Sequence, residues 1–417
     1  MTVISTSRKL RLLVIASTYP RWPGDPEPAF VHELAKRLTD SFEVIALCPH
    51  APGAAVDEVL DGVRVVRYRY APACFETLVN DGGIISNLQR NPWKWLLVPG
   101  FFIGLSWRTW RLVGALRPDV IHAHWLLPQG LIVALLGLFG RYVPPFVVTS
   151  HGADLFALRA RPLQALKRFV ARRAAAITVV SAAMRDELLR IGVTAEKISV
   201  QPMGVDLAER FTPDPSVERS RNEILFVGRL VEKKGLRHLI DAMPAVLRVH
   251  PTAFLTVAGF GPEEAERRAQ AQQLRLQDKV RFIGPVSQER LPALYRRAAV
   301  FVAPFVQASS GDQEGFGLVS VEAIGSGCPV VIGSVPAIQQ VFPDTCAVML
   351  VQPGDAEKLA TAIIESLKPN QISAADCAIA RNAVVSSYDW AVVAKRYANL
   401  LRASAVQSEL QMPTRVL

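Results

Sequence analysis

Short apolar runs rich in β-branched residues alternate with amphipathic stretches along almost the whole chain. In the first half such runs fall at 12–17, 42–47, 63–68, 120–124, 146–151 and 177–181. They read as strands buried on both faces of a parallel sheet. Helical spacing of apolar residues appears between several of them, at 29–38, 163–174 and 182–190. The rhythm returns at 224–227, 254–258, 280–283, 300–303 and 330–332. Repeated strand–helix units of this kind predict an α/β fold of doubly wound parallel sheets.

The pattern breaks near 201–222, where Gln201 to Asp206 leads into a stretch rich in Pro, Ser and Arg. Two sheets of about 200 residues each fit this break better than one sheet of a dozen strands or a closed α/β barrel. Ligands of open α/β sheets bind beyond the carboxyl ends of the strands, so the residues just after each strand are the ones to inspect.

Composition narrows the class. The chain has 417 residues, half of them hydrophobic and 20% charged, which is a packed globular protein rather than a disordered one. It carries 47 Lys and Arg against 37 Asp and Glu, a net charge of +10. The excess is lopsided: residues 1–210 hold 25 basic and 17 acidic side chains, and 211–417 hold 22 and 20. Such asymmetry points to an anionic partner of the first half, a nucleic acid or a membrane surface, unless it is simply a solvated basic domain. Five widely spaced cysteines without a CxxC pair exclude a disulfide framework and a thiolate zinc cluster, and they suit a reducing compartment. No signal peptide is read in the first eleven residues. The longest uncharged run, 120–140, contains two His, a Pro and a Gln, and 95–107 is short and interrupted by Pro99, so no transmembrane span is expected.

The densest chemistry is Gln313-Glu314-Gly315-Phe316-Gly317-Leu318-Val319-Ser320-Val321-Glu322-Ala323, after a strand and a polar loop. Gly315 and Gly317 allow close approach of a ligand to the backbone, and the free amides of a starting helix suit phosphate or sugar oxygens. If all eight intervening steps were helical, Glu314 and Glu322 would lie about 12 Å apart, too far for a shared acid–base step but suited to two parts of one extended ligand. A second cluster follows the strand at 224–227: Gly228-Arg229-Leu230, then Lys233-Lys234-Gly235, where Arg229 and Lys234, five residues apart, could bring two cations onto a diphosphate or be merely solvated. Gly259-Phe260-Gly261 after the next strand is a similar turn, weak by itself. In the first half, Ser150-His151-Gly152-Ala153-Asp154 ends one strand, with Asp154 placed to orient His151, and His122 and His124 end the preceding one. Each histidine could equally be a hydrogen-bonded core residue, and no HxxxH or HExxH spacing supports a metal. Trp93, Lys94, Trp95, Trp107, Arg108, Trp110 and Arg111 interleave aromatics with cations, as an interfacial segment does at lipid headgroups. The alternatives are stacking on single-stranded nucleic acid, or a buried helix.

Taken in order, these motifs resemble the family 4 retaining nucleotide-sugar glycosyltransferases, of GT-B architecture, over nearly the whole chain. The carriers are Ser150 to Asp154, Met203-Gly204-Val205-Asp206, Val227-Gly228-Arg229-Leu230 with Lys233-Lys234-Gly235, and Glu314-Gly315-Phe316-Gly317 through Glu322. The resemblance implies two Rossmann-like domains facing across a cleft. An acceptor domain would span 1–203 and a donor domain 204–389, and Asp389-Trp390 would open a helix, about 390–417, crossing back to the first. It further implies that Arg229 and Lys234 neutralise the donor diphosphate and that Glu322 holds the ribose hydroxyls. Glu314 and the backbone of Gly315, Phe316, Gly317 and Leu318 would hold the sugar, with Gly228, Gly259 and Gly284 lining the donor site. His151 would lie beside the reacting sugar, with His122, His124 and Asp154 on the acceptor side, and neither a bound metal nor another cofactor is expected.

One segment departs from the family pattern. After the first strand the chain reads Ser17-Thr18-Tyr19-Pro20-Arg21-Trp22-Pro23-Gly24-Asp25-Pro26-Glu27-Pro28, a stiff proline-rich loop where a glycine-rich one is usual. The resulting expectation is a hexosyltransferase of surface-polysaccharide or glycolipid assembly, using a UDP- or GDP-sugar and a lipid-linked acceptor. It would be peripheral on the cytoplasmic face of the membrane and would bind no nucleic acid. The rivals are a sugar-nucleotide 2-epimerase on the same fold and a non-catalytic glycan- or lipid-binding module.

Overall fold

The computed structural model describes residues 8–25, 27–80, 83–139, 143–156, 160–339, 341–342 and 345–411. It divides into two compact units. The first comprises Met1–Val179, Glu187–Gln201 and Ala394–Leu417, and the second Val180–Asp186 and Pro202–Val393. The exchange is finer than a single cut at 203. The helix Ala182–Arg190 begins in the second unit and ends in the first, and the last helix, Trp390–Gln411, passes to the first unit at Ala394.

The first unit is built on eight strands: β1 (Leu10–Ile15), β2 (Phe42–Pro49), β3 (Asp57–Leu60), β4 (Val63–Tyr68), β5 (Val120–His124), β6 (Phe146–Ser150), β7 (Ala176–Val179) and β8 (Ile198–Val200). Their order is β3-β4-β2-β1-β5-β6-β7-β8, all parallel except the edge pair of β3 and β4. β5 and β6 are buried at every position, their polar His122, His124, Thr149 and Ser150 included, as central strands covered on both faces should be. The strand order changes direction between β1 and β5, so the residues after these strands and after β6 surround a topological switch point.

The second unit has six parallel strands: β9 (Glu223–Val227), β10 (Phe254–Ala258), β11 (Val280–Gly284), β12 (Val300–Ala303), β13 (Val330–Gly333) and β14 (Val348–Val351). Their order is β11-β10-β9-β12-β13-β14, with the switch point between β9 and β12. Leu239, Ile240, Met243 and Val246 of the helix Leu236–Val249 pack on Ile363 and Leu359 of the helix Ala356–Leu367, closing one face of the sheet. Two open sheets exclude a closed barrel.

The helix Leu97–Leu116 differs from expectation. Pro99 does not interrupt it but lies in its first turn, where a backbone N–H has no intrahelical acceptor to lose. Leu97, Phe101, Leu105, Leu112 and Val113 face inward. Among the described residues no helix is long and apolar enough to cross a membrane.

Candidate active site

In the second unit the candidate residues gather at the carboxyl ends of β9, β10 and β12. The backbone turns stack there: the Gly228 amide donates to Ala258 O (3.0 Å) and the Gly259 amide to Gly284 O (2.8 Å). A Cβ at Gly259 would stand 1.9 Å from Gly228 O, so only glycine permits this approach. Arg229 follows, half-buried. The turn Glu232–Lys234 ends at Gly235, whose φ of 71° and closeness to Pro304 O (1.8 Å from an added Cβ) again demand glycine.

That turn is tied to the loop after β12 by three carboxylates. Lys234 Nζ lies 2.8 Å from Glu314 Oε2 and over the Phe305 ring at 4.9 Å. Lys233 pairs with Asp312 at 2.9 Å, and Glu232 accepts from the Ser309 amide and hydroxyl, both at 2.9 Å. Glu314 Oε1 accepts from the Gly317 amide (3.1 Å), and Gly317, at φ 82°, opens the helix Leu318–Gly325. Burial alone would raise the Glu314 carboxyl, but Lys234 and Lys233 outweigh it and bring it down to about 2. Phe316 is buried edge-on to Tyr388, and Gly315 is buried beside it.

Glu322 behaves in the opposite way. It is 8% exposed, and burial pushes its carboxyl up to about 7 although Tyr295, Lys234 and Arg210 pull it down. The Tyr295 hydroxyl donates to Glu322 Oε2 at 2.9 Å. The two glutamates therefore stand in contrasting states near neutrality, one fully ionised and one poised. Only the residues from Leu318 onward are helical, so the straight-helix spacing of 12 Å does not apply to this pair. Tyr295, Phe305 and Asp312 belong to this cluster and carry no sequence signal of it. Tyr295 sits on a separate helix, Leu291–Arg297, and meets Glu322 only in the fold.

In the first unit, His122 and His124 are fully buried and His151 is half-buried. His124 Nδ1 lies 2.9 Å from His151 Nε2, and His122 Nε2 lies 2.7 Å from Thr149 Oγ1. Phe30 and Trp125 flank the His151 ring at centroid distances of 4.8 and 5.1 Å. Burial brings His122 and His151 down to about 3 and holds His124 well below the usual imidazole value, so all three are neutral. Trp125 has φ 77°, a strained value for a residue with a side chain, directly after β5. With its amide turned, Gln129 donates to His124 O and accepts from the Ser17 amide, each at 3.1 Å, which ties the ends of β1 and β5.

Asp154 departs from expectation. Its oxygens accept from the Leu126 amide and the Ser150 hydroxyl, both at 2.7 Å, and it is 3% exposed. Burial raises its carboxyl. It braces the turns after β5 and β6, and the residue that orients His151 is His124. The proline-rich loop is also pinned from below: Arg67, buried, donates to Pro20 O (2.9 Å), and Arg21 makes a bidentate pair with Asp25.

The Trp-rich segment is mostly surface. Trp93, Trp95, Leu96, Phe102, Ile103, Trp107 and Trp110 are all exposed, between 37% and 82%, and Arg111 is exposed beside them. Trp107 stacks on Trp110 at 5.2 Å. Lys94 corrects the expectation of a cation among them: it is buried, and its ammonium donates to Thr77 O (2.8 Å) and Asn87 Oδ1 (2.9 Å). It anchors the turn that carries the two tryptophans. Arg108 is half-buried, close enough to lower the Asp57 carboxyl. Among the described residues no group of three His, Cys, Asp or Glu is placed to hold a metal ion.

Known proteins share both halves. The profile of the glycosyl transferases group 1 matches residues 209–382, and that of glycosyltransferase family 4 matches 29–209. The phosphatidyl-myo-inositol mannosyltransferase of Mycolicibacterium smegmatis is 30% identical, over 89% of this chain and 88% of its own. A glycogen synthase of Mycobacterium tuberculosis is 28% identical over 95% of each chain. Among solved structures, sucrose-phosphate synthase from Thermosynechococcus elongatus superposes with a TM-score of 0.72 at 23% identity, over 94% of this chain and 98% of its own. Anabaena HepE in complex with UDP and glucose does so at 0.70 and 18%, over 94% and 100%. The motifs, the two parallel sheets and these relatives agree: the chain belongs to the family 4 glycosyltransferases and has the GT-B architecture.

Proposed function

We propose that this glycosyltransferase moves a hexose-like sugar, with retention of anomeric configuration, from a UDP- or GDP-sugar to a lipid-linked saccharide acceptor. The observation that carries the donor side is the Lys234–Glu314 pair beside Arg229 at the β9–β12 switch point. There, two cations suit a departing diphosphate, and an ionised carboxylate suits sugar hydroxyls. Glu322, with one oxygen free of Tyr295, suits a ribose diol. No bound metal is needed in this scheme, because Arg229 and Lys234 supply the positive charge.

The acceptor side rests on the first unit. His151 stands beside the reacting sugar, and the exposed tryptophan face with Arg111 lies against the cytoplasmic leaflet of the membrane. Relatives named as mannosyltransferases of phosphatidylinositol acceptors support a lipid-borne substrate. The test has two arms. Purified protein incubated with UDP-glucose or GDP-mannose and a bacterial lipid extract should yield a glycolipid whose new linkage keeps the donor's anomeric configuration by NMR. Free 2-epimerised sugar formed without acceptor would sink the transferase reading. Liposomes containing anionic lipid should sediment the protein, and replacing Trp95 and Trp107 by Ala should release it. Equal solubility of both forms would remove the membrane.

A further inference from the structure

The histidines at the ends of β5 and β6 hold more information than their proximity. The His124 and His151 rings are nearly parallel, 7° between planes, with centroids 5.2 Å apart and Nδ1 to Nε2 at 2.9 Å. A nitrogen–nitrogen contact that short between such rings places them edge to edge, sharing one proton. Both rings are neutral, because burial disfavours their charged forms.

Two arrangements are possible. If His151 Nε2–H donated, neutral His124 would carry its own proton on Nε2. That atom is buried and has no hydrogen-bond partner, so the result is an orphaned N–H. If His124 Nδ1–H donates, Nε2 keeps only a lone pair, and an under-satisfied acceptor is tolerated better than an orphaned donor. His122 repeats the pattern: Nδ1 is buried and unpartnered, so Nε2–H donates to Thr149 Oγ1, which itself lies 2.5 Å from Thr178 Oγ1. Once His151 Nε2 accepts, its remaining proton resides on Nδ1, a nitrogen that bonds to no described residue on a ring that is half-exposed. Phe30 and Trp125 against the ring oppose its flipping.

We propose that His124 is a positioning residue that fixes the tautomer of His151, so that His151 offers an Nδ1–H donor to a substrate oxygen. The oxygen is a sugar hydroxyl or a phosphate oxygen. His151 then serves as a hydrogen-bond donor rather than as a base. This rests on the reading of His151 as the residue beside the reacting sugar.

The test is long-range ¹H–¹⁵N NMR of histidine-labelled protein, which reports the tautomer without any turnover. Wild type should give the Nδ1–H pattern for His151. His124→Leu should scramble it and lower kcat with UDP-glucose or GDP-mannose by roughly tenfold to a hundredfold, as loss of the hydrogen-bond partner behind a metal-bound histidine does, with KM little changed. His124→Asn places an amide N–H near the lost Nδ1–H and should restore both pattern and rate, which a merely structural role would not predict. An Nε2–H signal for His151 in wild type, or one unaltered in His124→Leu, overturns the proposal. Full transfer by His151→Ala would instead overturn the placement of His151 at the reacting sugar, and that result is read separately from the spectrum.

Discussion

Glu322 allows a quantitative test of the electrostatics in the second unit. Its carboxyl is 8% exposed, and burial lifts it from an ordinary 4.5 to about 7. In the unfolded chain the same group ionises at its ordinary value. Between those two values the folded protein holds the proton more tightly than the unfolded chain does, so stability falls as pH rises through this window. The penalty is absent below the ordinary value and complete above about 7. A shift of this size corresponds to roughly 3 kcal/mol, at about 1.4 kcal/mol per pH unit. Glu322→Gln has the same shape, retains an oxygen for the Tyr295 hydroxyl and cannot ionise. Urea unfolding of both proteins in steps from pH 5 to pH 8 cancels every other titrating group. The stability of wild type relative to the glutamine variant should drop by ~2–3 kcal/mol across that range. A flat difference would refute burial as the controlling influence on this carboxyl. A difference that grows in favour of wild type would mean that Lys234 and Arg210 hold it ionised.

Three further substitutions test named contacts. Glu314→Ala removes the partner of Lys234 and should reduce sugar transfer by ~10²-fold or more, with an unchanged circular dichroism spectrum. Glu314 stabilises the fold above pH 4.5, and that contribution is lost as pH falls towards about 2, so the alanine variant should lack this acid transition in urea titrations. Gly235→Ala forces a Cβ to within 1.8 Å of Pro304 O at φ 71° and should cost more than ~1 kcal/mol, with weaker thermal stabilisation by UDP and GDP. Lys94→Met leaves Thr77 O and Asn87 Oδ1 without their donor. It should lower the melting temperature by an amount equivalent to ~1–3 kcal/mol and shift the emission of Trp93 and Trp95.

The strands most legible in the chain were the fully buried ones. β12 is a continuous apolar run, and β4, β5 and β10 are short β-branched runs broken only by Arg64 and Arg67, by His122 and His124, and by Thr256; all four fall on the expected residues. β3, β8 and β14 escaped notice for a physical reason. β3 is a four-residue edge strand, two acids followed by two apolar residues, and β8 has only three residues. β14 has four and borders its sheet. The site was legible where glycine follows a strand, since that residue marks a backbone approach that no side chain permits; Gly228 and Gly259 are such cases. What closes the site was not legible. Tyr295 reaching Glu322, Asp312 reaching Lys233 and Asp154 reaching Leu126 are meetings of distant segments. Lys94 misled because the same spacing of Trp and Lys describes both a wet face and a buried anchor.

The last helix sets a clock on synthesis. Tyr397 is fully buried, rests 5.5 Å from the His122 ring and donates to Gln201 O, while Arg402 donates to Ser41 Oγ. The first unit therefore lacks part of its core until roughly 190 further residues, Pro202–Val393, have been made. At ~5–20 residues per second that is a wait of about 10–40 s in which β1 to β8 exist without their closing helix. The second unit, continuous over most of its length, can form during that interval. The first unit, although its strands come first, is the one completed last.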